Sequence, residues 1–168
     1  VPPHALSVHL HGGTVLPGLT SYGSTLGLSD VPSESSASNG QDPSLLTRHL
    51  YLDTKRLVPR AEDGLIFGGH ALRRAHASGV TTAVNVPATI GMFGGVSTHF
   101  DTGARTVLDA HSVRTSEVAL HVRLAYPIDD HEPSLATQLA LLRSLLRNPP
   151  PGSVEWHRVS RGEWPLVV

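Results

Sequence analysis

Gly79-Val80-Thr81-Thr82-Ala83-Val84-Asn85-Val86-Pro87 reads as a strand with punctuation at both ends. Gly79 stands where a helix C-terminus favours a residue that can turn left-handed. The β-branched run behind it favours a buried strand. Pro87 ends the ladder because proline has no N–H to donate. Upstream, Leu65, Ile66, Leu72 and Ala75 share one face of a predicted helix, with Arg73 and Arg74 outside it. Downstream, Val118-Ala119-Leu120-His121-Val122-Arg123-Leu124 predicts another strand. Pro133 then opens a helix with Leu135, Leu139, Leu142 and Leu146 at helical spacing, and Pro149 to Gly152 stop it. Pro165-Leu166-Val167-Val168 begins one more strand. Strands alternating with helices imply an α/β fold, with a parallel sheet and right-handed crossovers.

The N-terminal part is less regular. Leu6, Val8 and Leu10 alternate with Ser7, His9 and His11, which predicts a short strand with one wet face. Gly12-Gly13 turns the chain, and Leu19-Thr20-Ser21-Tyr22 continues extended after Pro17-Gly18. Residues 29–63 are polar and turn-rich, as expected of a long connection. Gly91, Gly94, Gly95 and Gly103 mark a second loose stretch.

Composition narrows the function classes. The chain has 168 residues, no cysteine, 11 histidines and a net charge of -1. Without cysteine there is neither a disulfide scaffold nor a Cys-type zinc module. The neutral balance argues against a nucleic-acid partner, which needs a clustered basic surface. No apolar run is long enough to span a membrane. A small-molecule substrate remains the natural partner class.

Gly12-Gly13-Thr14-Val15-Leu16-Pro17-Gly18-Leu19 is similar to the turn by which amidohydrolase-superfamily proteins leave a small β-sandwich and begin barrel strand one. Gly79-Val80-Thr81-Thr82 resembles the opening of that family's second barrel strand. Within the superfamily the carbohydrate esterase family 9-like and imidazolonepropionase-like groups are the nearest in pattern. The resemblance implies a partial TIM-like (β/α) barrel of roughly three β/α units, preceded by a short β hinge strand. Residues 1–15 would be the end of a flanking sandwich and hinge, and residues 16–168 the N-terminal part of the barrel. A complete barrel takes about 250 residues, so the chain is expected to be a piece of a longer hydrolase of amide or ester bonds. Its open barrel edges should promote self-association.

The resemblance also implies a divalent metal such as zinc, held in part by a His-x-His pair on strand one. Laid on that pattern, the two histidine positions are Gly23 and Thr25, and the preceding aspartate position is Ser21. Glycine ligates nothing, and threonine is a poor zinc ligand. No metal ligand is assigned in this chain, and a non-catalytic barrel that has lost the pair is the alternative. His9 and His11 precede the strand-one motif and read as two polar residues on a wet strand face. His70 and His76 are too far apart along a helix to serve one ion and read as surface or capping residues. His131 and Asp129-Asp130-Glu132 read as loop and helix-start residues. His121 on its strand either lines the barrel interior or sits satisfied against a helix, and His99 falls in the glycine-rich stretch. Ser21, Thr25, Asn85, His99 and His121 are the candidate pocket-lining residues.

Overall fold

The computed structural model describes residues 2, 4–31, 34, 58–88, 92–127 and 133–168. Along these the chain forms β1 (Leu19–Tyr22), a 3-10 turn (Ala61–Gly64), α1 (His70–Ala77) and β2 (Val80–Asn85). β3 (Phe93–Val96), β4 (Thr98–Asp101), β5 (Val113–Thr115) and β6 (Leu120–Val122) follow. The chain closes with α2 (Leu135–Arg147), α3 (Val154–Ser160) and β7 (Leu166–Val167). One sheet runs β1-β2-β4-β5 and the other β3-β6-β7. The fold is mixed α/β, and among the described strands both sheets are open. No helix among the described residues is long and apolar enough to cross a membrane.

β1 and β2 pair in parallel across the crossover that contains α1, with Ser21 opposite Ala83 and Tyr22 opposite Val84. The two sequence motifs meet here. Leu19 N–H donates to the Gly79 carbonyl at 2.9 Å, and the Thr20 and Thr82 hydroxyls lie 2.8 Å apart. A Cβ on Gly18 would fall 2.1 Å from Thr81 Oγ1, so only a glycine lets the strands approach this closely. β6 and β7 form the second parallel pair.

The purely parallel sheet is corrected. β4 pairs antiparallel with β2 and with β5, and β3 pairs antiparallel with β6. β3 and β4 come from the stretch expected to be loose. Its glycines serve close backbone approach: a Cβ on Gly95 would meet the Pro59 carbonyl at 2.3 Å, and Gly95 has φ +94°. Val96 N–H donates to that same carbonyl at 2.8 Å. Glycine thus hides a strand from any pattern based on side chains.

Other boundaries move as well. Residues 5–10 form no strand and are exposed. Leu65 and Ile66 precede α1, which starts at His70 because the Asp30 carboxylate accepts from Ala71 N–H at 2.7 Å and caps the helix from a distance. Those backbone donors hold the Asp30 carboxyl below its usual range. The third strand shortens to Leu120–Val122. In α2 the fully buried positions are Gln138, Leu142 and Leu145, while Leu135 and Leu139 stay half-buried. α3 was not foreseen; the Ser153 hydroxyl caps it by accepting from Trp156 N–H at 3.4 Å. Residues 35–57 of the expected long connection, and the readings of Gly91, His131, Asp129, Asp130 and Glu132, lie outside the described residues.

Two cores result. The larger joins Val96, Leu120 and Val122 to Leu142, Leu145, Trp156 and Trp164, with Phe93 edge-on to Trp156 at 5.8 Å. The smaller lies between α1 and the first sheet, from Leu72, Ala83 and Phe100, with Phe67 edge-on to Phe100 at 6.1 Å. Beside the larger core, Arg60 pairs with Glu117 and, at 3.2 Å, with Glu155. Arg158 reaches Glu117 at 2.7 Å and lies 4.6 Å over the Trp164 ring. The Arg60 and Arg158 guanidiniums hold the Glu117 carboxyl below its ordinary range.

Gly18→Ala should destabilise the chain by about 1–3 kcal/mol through overpacking against Thr81. Urea unfolding monitored by tryptophan fluorescence checks it; an unchanged midpoint would place the β1–β2 contact elsewhere.

Candidate functional site

The C-terminal ends of β1 and β2 are where the resemblance puts chemistry. β1 stays in register through Tyr22, and Gly23 N–H extends the ladder by donating to the Val84 carbonyl at 3.0 Å. The strand then stops. Gly23 has φ +71°, and the Thr25 carbonyl accepts from both Leu28 N–H and Ser29 N–H at 2.9 Å, so a turn replaces further extension. The Thr25 side chain is exposed.

A polar network fills the corner. Ser24 Oγ donates to Asn85 Oδ1 at 3.3 Å and accepts from Leu26 N–H at 3.3 Å. It also lies 2.9 Å from Ser21 Oγ. A hydroxyl has one proton to give, so Ser21 is the donor in that contact. Asn85, 0% exposed, spends its amide N–H on the Leu26 carbonyl. Every polar atom of the buried amide that faces this turn is thereby used.

Register separates the five candidate residues. Directly paired residues share a sheet face, and neighbours alternate. Ser21 and Asn85 lie on the face with Ala83 and Phe100, which packs beneath α1. Tyr22, Val84 and His99 lie on the opposite face. His99 is a strand residue of β4 and not a loop residue. His121 belongs to the second sheet, but its ring centroid lies 6.1 Å from that of Tyr22. The structure therefore joins Ser21 to Asn85 through Ser24, brings Tyr22 to His121, and leaves Thr25 apart.

Sequence reasoning had no signal for Ser24, whose role depends on a partner sixty-one positions away. Tyr22 had a weak one, its place in an extended run after Pro17-Gly18. Both histidines keep a buried Nε2 with no hydrogen-bond partner among the described residues. Burial lowers the His121 pKa from 6.5. Burial also lowers that of His99, reinforced by Arg114, while Asp101 opposes.

Four of the other described histidines have local settings. His76 Nδ1 lies 3.1 Å from Thr102 Oγ1, whose own proton goes to the Val80 carbonyl at 2.6 Å, so the ring donates and ties α1 to the end of β4. His70 is exposed at the start of α1. His9 and His11 are exposed, with their ring centroids 4.4 Å apart at a tilt of 58° and His9 Nδ1 accepting from His11 N–H at 3.2 Å.

A zinc ion needs thiolate, imidazole or carboxylate ligands. Gly23 and Thr25 supply none, and the nearby donors are neutral hydroxyls and an amide already bonded to one another. Among the described residues no three His, Cys, Asp or Glu side chains are grouped to hold a metal ion. The residues at this corner do not fit the metal that the resemblance implies.

Against known proteins, the chain is 37% identical over 123 residues to a protein of Hapsidospora irregularis named amidohydrolase tasK. The match spans 69% of this chain. The chain belongs to the amidohydrolase superfamily. It spans 10% of the length of that relative. The crystal structure of an amidohydrolase from Thermotoga maritima MSB8 has the same fold over 96% of this superfamily member and 37% of that chain, with a TM-score of 0.57 at 21% identity. No family model matches the sequence.

The depressed histidines set a pH dependence. Below about 6.5 the unfolded chain takes up protons that buried His121 and His99 resist, so the unfolded state is favoured as pH falls. Stability from this source is complete above that value and declines beneath it. Melting temperatures between about pH 7.5 and about pH 5.5 should drop, and His121→Asn should flatten the slope. An equal slope in the variant would assign the dependence to other groups.

Proposed function

We propose that these residues are the N-terminal part of an amidohydrolase-type (β/α) barrel within a longer hydrolase that cleaves amide or ester bonds of a small molecule. The observation that carries the proposal is the meeting of the two motifs, Pro17-Gly18-Leu19 beside Gly79-Val80-Thr81-Thr82, in one parallel strand pair. That is the first β/α unit a barrel requires. β6 and β7 would be the next parallel unit, and β3 and β4 an antiparallel insertion between the two. In this proposal residues 1–15 are a hinge leading from a flanking sandwich, and residues 16–168 are the barrel part. The carbohydrate esterase family 9-like and imidazolonepropionase-like groups are the narrower placement within the superfamily.

Hydrolysis needs an activated water and a group that polarises the carbonyl. The corner described above provides hydroxyls already committed to one another, so residues 1–168 alone are expected to be inactive. What this part contributes is position: it holds Tyr22, His99 and His121 on surfaces that further strands would enclose. Ser21, Thr25 and Asn85 line the mouth in the same proposal. A second function, a non-catalytic barrel used for binding or scaffolding, is favoured by Gly23 and Thr25 at the two histidine positions.

The test is an assay of the protein at native length on a panel of simple amides and esters, with and without a metal chelator. Turnover by the long form and none by residues 1–168 supports the hydrolase. No turnover with any substrate, together with saturable binding of the same compounds, supports the scaffold. β1 and β7 each lie at a sheet edge, so residues 1–168 alone should self-associate in sedimentation velocity. A monomer with a sharp thermal transition would count against a partial barrel.

A further inference from the structure

We infer that the end of β1 is held by a metal-independent latch, Ser21–Ser24–Asn85 with the Leu26 peptide, at the place where the family pattern puts its histidine pair. The inference rests on superfamily membership and not on the hydrolase proposal.

Three features support it. The latch is closed: Ser24 Oγ gives its one proton to Asn85 Oδ1 and accepts from Ser21 and from Leu26 N–H, while the Asn85 amide donates to the Leu26 carbonyl. Its neutral hydroxyls and amide include no thiolate, imidazole or carboxylate to hold a zinc ion. The backbone also turns at this point. A Cβ at Gly23 would meet nothing within 4 Å, so the obstacle to a side chain there is the φ of +71° and not space. Histidine at 23 would have to keep a positive φ, which is uncommon for a non-glycine residue although His11 (φ 47°) and His111 (φ 63°) adopt it in this chain. Finally, Thr25 sits in the turn with its carbonyl occupied by Leu28 and Ser29 N–H groups and its side chain exposed. A histidine there would face away from the ladder that Gly23 N–H closes on Val84. Restoring both histidines therefore does not restore a site.

The physical role is to pin the turn after β1 onto the end of β2. Here a buried amide and two hydroxyls do so through hydrogen bonds that need neither an ion nor a deprotonated ligand.

Amide exchange at Gly23 reads the latch locally, with Leu19 at the other end of β1 as the internal reference. In the protein at native length, Ser24→Ala and Asn85→Ala should each speed Gly23 exchange by about tenfold relative to Leu19. Ser24→Ala keeps the test alive should the Asn85 variant fail to fold. Adding or chelating zinc should leave the wild-type Gly23 rate unchanged. The doubly restored variant, Gly23→His with Thr25→His, should bind no more zinc than wild type and melt at a lower temperature.

Three results would overturn the latch. One is equal acceleration at Gly23 and Leu19, or none, in the latch variants. Another is faster Gly23 exchange on chelation of the wild type. The third is a gain of about one zinc ion per chain in the restored variant. None of these readouts uses turnover, so failure of the hydrolase proposal would leave them unmoved.

Discussion

Phe93 to Asp101 runs through both sheets, and the rest of the fold is arranged around that sharing. Its first half pairs with β6 and its second half with β2. At the changeover, Ser97 N–H donates to the Ala119 carbonyl at 3.0 Å, and the Ser97 carbonyl accepts from Val118 N–H at 2.9 Å. Ser97 and Thr98 are fully buried, so each backbone group there must find a partner or carry a desolvation cost. The Thr98 hydroxyl adds a bond to the Ser116 carbonyl at 2.9 Å. Because one segment serves two sheets, its backbone couples the small core under α1 to the large core under α2 and α3.

That coupling explains the geometry of the candidate site. β2 is pinned on one side by β4 and on the other by β1, which leaves its C-terminal end fixed at Asn85. The turn after β1 closes onto that fixed amide. On the reverse face β1 presents Tyr22 and β4 presents His99, and the second sheet brings His121 to the Tyr22 ring. Two different chemistries thus lie on the two sides of the first sheet: a network of neutral groups beneath α1, and half-buried imidazoles with an unspent nitrogen opposite.

Much of the framework was legible in residues 79–87 and 133–152. Gly79, the β-branched run and Pro87 fix β2 by local stereochemistry, and Pro133 and the leucine spacing mark α2 by its start and its amphipathicity, to which the structure adds the Ser134 cap. The pair of motifs around Gly18 and Thr81 was legible as a resemblance, and the close approach of those two residues supplies its physical reason. β3 and β4 were not legible. The glycines of β3 matter because of what comes near them, Pro59 and His121, and a sequence window contains neither. α1 was placed too early because Leu65 and Ile66 match a helical face, while the cap that sets the start is Asp30.

The sequence by itself determined which segments are helix or strand where a local signal exists, and that Gly23 and Thr25 cannot act as the family's histidines. Side-chain chemistry at a position is a property of the residue, so that exclusion needed no structure. The tertiary structure alone decided strand direction, the division of Ser21, Asn85, His99 and His121 between faces, and the Ser24–Asn85 bond. Those depend on which backbone groups are left to pair once the chain has turned. Hydrogen-bond partners sixty or so residues apart become neighbours only through the whole fold.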